Sequence, residues 1–316
     1  MTGALIDLRF HLLGGMRAEF IRQIAFEKKI DLRRAFDDNG GFSAAVLQDF
    51  WRFLPVLGDL IKTPVDLHRA MCHVGAIQAE QNIIYSEVFL SPAFLALQDP
   101  RKWQDFASAV HDACNTVHHN HDIYLVPVVE IERHLGTDEA KLSAKCAVET
   151  AELGVRGLAL MGDATTARFD EFTYCFDMAR EVDLGLILGL DDQSRDLMRA
   201  IATQRFARFA NLSHAPKDVK DFKTLVAGAY NLETSIQSAK SVVKMIDQAA
   251  NLCFGSARAG FDALPFDQSL KLLRDASLWD DAITIRIMRD AVAQAFCPNE
   301  HKEKLIERVN TTWTNT

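Results

Sequence analysis

The sequence predicts a (β/α)8 TIM barrel, an α/β fold, and three observations predict it. Eight short apolar, β-branched runs alternate with longer stretches of helical periodicity. The chain is 48% hydrophobic yet holds no apolar run near the ~20 residues of a membrane span, so a large core is expected in water. No internal repeat, low-complexity segment or Pro/Gly/Ser-rich linker marks a boundary, so residues 1–316 are expected to form one domain.

The strand candidates, in order, are Leu5–His11, Ile83–Leu90, Tyr124–Ile131, Val155–Met161, Gly185–Leu190, Phe206–Asn211, Leu232–Ile236 and Asn251–Gly255. The 70 or so residues between the first two exceed a single crossover. Extra helices are therefore expected after the first strand, in "AEFIRQIAFEKK", "AAVLQDFWRFLPVL" and "PVDLHRAMCHVGAIQAEQN". Thr63 before Pro64 and Asp99 before Pro100 each place a capping side chain ahead of a proline at the first helical position, and Gly154 stops a helix directly before a strand.

Charge and cysteine usage narrow the function classes. Thirty-five basic against forty-three acidic residues give a net charge of -8, without the basic block that nucleic-acid binding needs. Membrane association is not expected either, and the oligomeric state is open. The six cysteines are scattered with no C-x-x-C, and the N-terminal "MTGALIDLRF" lacks a secretory n-region, so reduced thiols and a cytoplasmic location are expected.

Barrel enzymes work at the carboxyl ends of their strands. Those positions carry Arg9 and His11, Glu87, Glu130 and Arg133, Gly162 and Asp163, Asp191 and Asp192, Arg208, Glu233 and Ser256. Glu130 and Arg133 are expected to form an ion pair at the rim, or else to be catalytic. A buried Glu87 requires a partner, which is expected to be an arginine. "HHNHD" (His118 to Asp122) follows a helix and precedes a strand, which puts it on the opposite, bottom face.

The first strand's "RFHLLGG" resembles the H-x-H-L-x-G opening of the adenosine/adenine deaminases of the amidohydrolase superfamily. "YSEVFLSP" resembles their Y-x-E-x-R-x-S-P, with Phe89 for the arginine, and "GLALMGDA" resembles G-x-D-L-x-G-x-E, with Ala164 for the glutamate. "LILGLDD", "RFARF" and "GSAR" stand in order where the family has T-x-H-A-G-E, R-I-G-H-G and T-D-D-P.

The resemblance implies a zinc held by four residues, and at those places this chain has Arg9, His11, Gly189 and Ser256. Arginine has no acceptor, glycine has no side chain, and a serine hydroxyl is a poor zinc donor. The family's proton-shuttling glutamate is Asp192 here, and the remaining histidine and aspartate are Arg208 and Ala257. No metal or cofactor and no zinc-dependent deamination are expected.

Two readings stay open. One is a non-catalytic, ligand-binding or regulatory protein that holds a purine-like or anionic small molecule through Arg9, His11, Glu87, Gly162, Asp163, Asp192, Arg208 and Glu233. The other is a hydrolase acting on an amino-bearing ring by metal-free chemistry with Asp192 as base. Arg9 and Arg208 are expected to offset the pocket's carboxylates, with Arg9 reaching Glu87 or Asp192. With Ala164 and Phe89 in place, adenosine is expected to bind weakly.

Overall fold

A computed structural model describes residues 3–96, 99–162, 165–190, 200, 206–210, 231–234, 251–261, 264–275 and 280–314. Apolar runs with side chains alternating between two buried faces become eight parallel strands: β1 Leu5–His11, β2 Ile83–Leu90, β3 Tyr124–Glu132, β4 Gly157–Met161, β5 Gly185–Gly189, β6 Arg208–Ala210, β7 Asn231–Thr234 and β8 Asn251–Phe254. Each pairs with the next in chain order. Closure comes from the segment after β8: the His11 amide donates to the Ala257 carbonyl at 2.9 Å, and the Ala257 amide to the Arg9 carbonyl at 2.8 Å. The (β/α)8 expectation is met.

Strand ends shift where pairing overrides composition. β4 starts at Gly157, two residues later than the apolar run, because Gly154 turns at φ +103° and the Arg156 amide is taken by the Pro127 carbonyl at 3.0 Å. β3 runs one residue further than its apolar stretch, since Glu132 pairs with Met161. The proposed seventh strand's Ser235 and Ile236 lie outside the described residues.

Between β1 and β2 lie α1 Leu12–Gly15, α2 Ala18–Glu27, α3 Ala44–Gln48, α4 Phe50–Leu60 and α5 Pro64–Glu80, as the length of that segment implies. "AAVLQDFWRFLPVL" forms two helices because Asp49 ends α3 and accepts the Arg52 amide at the start of α4. Thr63 and Asp66 build a reciprocal capping box on α5. The remaining described helices are α6 Pro92–Leu95, α7 Pro100–His121, α8 Thr137–Glu149, α9 Thr173–Glu181, α10 Phe266–Asp275, α11 Asp281–Gln294 and α12 Asn299–Thr314. None of them is long and apolar enough to cross a membrane.

"HHNHD" ends α7 at the amino end of β3, the bottom face. There His118 stacks on Tyr124 at 4.3 Å and Arg308 holds Asp122 at 3.0 Å.

Inside the barrel Phe89, Val128, Ala159, Met161, Ile187 and Ala210 form a small apolar cluster, and Phe296, just after α11, packs against it. A Cβ on Gly157 or Gly185 would meet the Phe296 ring at 2.8 and 2.3 Å, so glycines at the bottoms of β4 and β5 make room for that ring. It plugs the barrel floor. A larger core fills the space between strands and helices.

Candidate functional site: the barrel mouth

Strand periodicity points alternate residues to the same face. Asp7, Arg9 and His11 on β1, Glu87 on β2, Glu130 and Glu132 on β3, and Arg208 on β6 are all buried. Buried charges must be matched with one another, and they sort into two groups.

The lower group is a closed ion pair. Arg208 donates through Nη2 to Glu87 Oε2 and, at 3.1 Å, to the Leu8 carbonyl. Both side chains are fully enclosed. The other Glu87 oxygen accepts from the Phe296 amide at 3.0 Å and from the Tyr85 hydroxyl at 3.3 Å. The Phe296 ring lies under the guanidinium, 5.1 Å from its carbon. Glu87 does take an arginine, but the partner is Arg208 rather than Arg9. Burial pushes the Tyr85 phenol well above its ordinary value, with Glu87 adding to the rise, so it stays a neutral donor.

The upper group lies toward the strands' carboxyl ends. His11 Nδ1 accepts the Gly14 amide at 3.0 Å, so in the neutral ring Nε2 carries the proton. That nitrogen is 3.5 Å from Glu130 Oε1. Burial lowers the His11 pKa to about 4, with Glu132 opposing the fall and Arg258 and Arg9 assisting it. Glu130 and Glu132 contact each other. Burial raises both, Glu132 well above the ordinary carboxyl value, and Arg9 partly offsets the rise at Glu130.

Beyond Glu132, at 3.7 Å, lies the half-exposed imidazole of His134. Arg133, expected opposite Glu130, instead donates to the carbonyls of Ala167 at 3.0 Å and Gly189 at 3.1 Å. Its guanidinium ties the end of β3 to the end of β5. Glu132 escaped the sequence reading, although a second carboxylate two residues after Glu130 is what the strand period would have put on the same face.

The β1–β8 seam is equally occupied. Asp7 accepts both the Ser256 hydroxyl and, at 3.1 Å, the Ser256 amide. Gly255 is required beside it, because a Cβ there would sit 2.5 Å from Arg9 Cβ and 3.0 Å from the Arg9 carbonyl oxygen. Gly162 has φ +90°, and a Cβ on it would lie 3.2 Å from Glu132 Oε2. Glu233 lies on β7 opposite Cys253 of β8. Asp163, Asp191 and Asp192 lie outside the described residues.

The residues at the four zinc positions do not fit that ion. Arg9 has no lone pair to give, and His11 carries its proton on the nitrogen that faces the barrel. Ser256 donates its hydroxyl to Asp7. At Gly189 a Cβ would meet Met161 Sδ at 2.9 Å and the Leu160 carbonyl oxygen at 3.0 Å, so the space for a ligand side chain there is filled. Among the described residues no three His, Cys, Asp or Glu side chains are grouped to hold a metal ion.

The family model described as Adenosine deaminase matches residues 5–189. An adenine deaminase of Mesorhizobium japonicum is 27% identical over 187 residues, which are 58% of this chain and 56% of that relative's own length. Among solved structures, adenine deaminase from Arthrobacter aurescens superposes with a TM-score of 0.86 at 15% identity, covering 100% of both chains. Arabidopsis ADAL complexed with IMP superposes with a TM-score of 0.81 at 18% identity over 99% of this chain and 97% of that one. At such identities the likeness carries the fold.

Proposed function

Since this chain belongs to the adenosine deaminase family, we propose that it is a member without zinc-dependent deamination, a ligand-binding or regulatory protein whose mouth takes a purine-like or anionic small molecule. One observation carries the reading. Each zinc position is engaged elsewhere or unable to coordinate: Ser256 holds Asp7, His11 turns a protonated nitrogen to Glu130, the Gly189 carbonyl takes Arg133, and Arg9 has no lone pair. Zinc brings bound water from a pKa of 15.7 to about 7, and nothing in this donor set supplies that activation.

The ligand contacts fall to Arg9, His11 and Gly162 at the upper level, and the proposed set also includes Asp163, Asp192 and Glu233. Glu87 and Arg208 set the charge of the floor beneath. Adenine deaminases among its relatives and a neighbour complexed with IMP support a purine-like ligand. Six free thiols suit a cytoplasmic protein.

A second reading, metal-free hydrolysis with Asp192 as base, is favoured by the buried Glu130/Glu132 pair, whose carboxyls are raised by burial toward the protonated, proton-donating form. Protein purified without chelators is expected to hold well under one zinc per chain by elemental analysis, to gain no melting temperature from added zinc, and to release no ammonia from adenine, adenosine or AMP. Stoichiometric zinc with ammonia release would overturn the proposal, and ammonia release without zinc would favour the hydrolase.

A further inference from the structure

The mouth contains polar atoms that the described residues leave without an outside partner. Both Glu132 oxygens, Glu130 Oε1 and His11 Nε2 are buried, and apart from the contact of the two carboxyl groups with each other they have no hydrogen-bond partner among the described residues. Leaving a buried polar atom unmade is costly, so a native structure that does so at a strand's carboxyl end calls for an occupant. Glu132 closes β3, where barrel sites lie. On the β4 side Gly162 offers it no side chain; a methyl group there would stand 3.2 Å from Oε2. On the outer side the half-exposed His134 approaches at 3.7 Å.

Two of the buried arginines are engaged elsewhere. Arg208 is committed to Glu87 and Arg133 to two carbonyls. His11 Nε2 faces Glu130 Oε1 at 3.5 Å without completing a hydrogen bond to it.

Resting on the reading that the mouth binds a small ring without deaminating it, we propose that Glu132, supported by Glu130, anchors the amidine edge of a planar heterocycle, a ring nitrogen beside an exocyclic amino group. A carboxyl group matches that edge with two parallel hydrogen bonds, its O–H to the ring nitrogen and its carbonyl oxygen from the amino group. The ligand's amino group displaces His134 as the neighbour of Glu132. Burial and the adjoining Glu130 raise the Glu132 carboxyl, which favours the protonated form that supplies the O–H. The site thereby offers a carboxyl group from β3, whereas the β4 motif has Ala164 where the family has a glutamate.

Isothermal titration of the intact protein with adenine, benzamidine and unsubstituted purine tests this on the parent, Glu132→Leu and Glu132→Gln. Adenine is expected to bind the parent at least about tenfold more tightly than purine does, and to weaken by about tenfold or more in Glu132→Leu. Glu132→Gln keeps one donor and one acceptor, so it should retain adenine and lose the cationic benzamidine. Adenine affinity within about twofold of the parent in Glu132→Leu, or no adenine or benzamidine binding by the parent, would overturn the proposal. Should the leucine variant lose its cooperative melt, benzamidine retained by Glu132→Gln overturns it and benzamidine lost supports it. Ammonia release during the titration would sink the non-deaminating reading alone and leave these affinities to judge Glu132.

Discussion

Arg208 and Glu87 are enclosed so completely that neither can be removed alone without leaving a bare charge. Arg208→Ala is expected to cost about 3–5 kcal/mol in urea unfolding. Adding Glu87→Gln should return much of that loss, because a neutral amide oxygen still accepts from Phe296 and Tyr85. The coupling in that cycle should be at least ~1 kcal/mol, and additive losses would mean that the pair does not interact. At Glu132 the prediction concerns pH. Its carboxyl is raised in the folded state above the ordinary 4.5. From that value upward the unfolded chain has released a proton that the folded protein keeps, so stability falls as pH rises through the window. Glu132→Gln removes this penalty, and its urea midpoint should exceed the parent's by more at pH 8 than at pH 5. His11 acts oppositely: lowered to about 4, it stays neutral while the unfolded chain takes up protons below 6.5, and its contribution is lost as pH falls from 6.5 to 4.

Elements owe their ends to different forces, and this decides what a sequence discloses. The start of α5 is local: Thr63 and Asp66 bond each other's backbone amides, and Pro64 sits at the first helical position. Asp66 also pairs with Lys28 at 2.5 Å, just past α2, which clamps two inserted helices together. Thr63→Ala is expected to cost about 1 kcal/mol. Asp66→Ala should cost more, since it loses the cap and the clamp, and thermal melts of both variants check the order. Such signals were legible, as were the eight apolar runs that became strands. The lengthening of β3 to Glu132 was not, because it depends on pairing with Met161, far along the chain. The choice of Arg208 over Arg9 for Glu87 was equally hidden, because it is set by how eight tilted strands stagger around a closed barrel. Of the candidate site, which residues stand at the expected zinc positions could be read one by one. What those positions touch, Ser256 on Asp7 and Arg133 on the Gly189 carbonyl, required the fold.

Among the described residues, buried charges of both signs share the barrel interior. Asp7, Glu87, Glu130 and Glu132 are buried together with Arg9, Arg133 and Arg208, and the raised Glu132 carboxyl lessens the excess of negative charge. The floor closes this arrangement through Phe296, whose amide reaches Glu87 across 209 residues of sequence. Phe296→Ala should cost about 3 kcal/mol, with urea unfolding as the check. That span also has a bearing on how the protein is made. A ribosome delivers Glu87 long before Arg208 and Phe296, so the early half of the barrel leaves the exit tunnel with a charge that has to remain in water. A stable interior therefore waits for residue 296, and during that interval the nascent strands depend on chaperones or on speed to avoid pairing with the wrong neighbours.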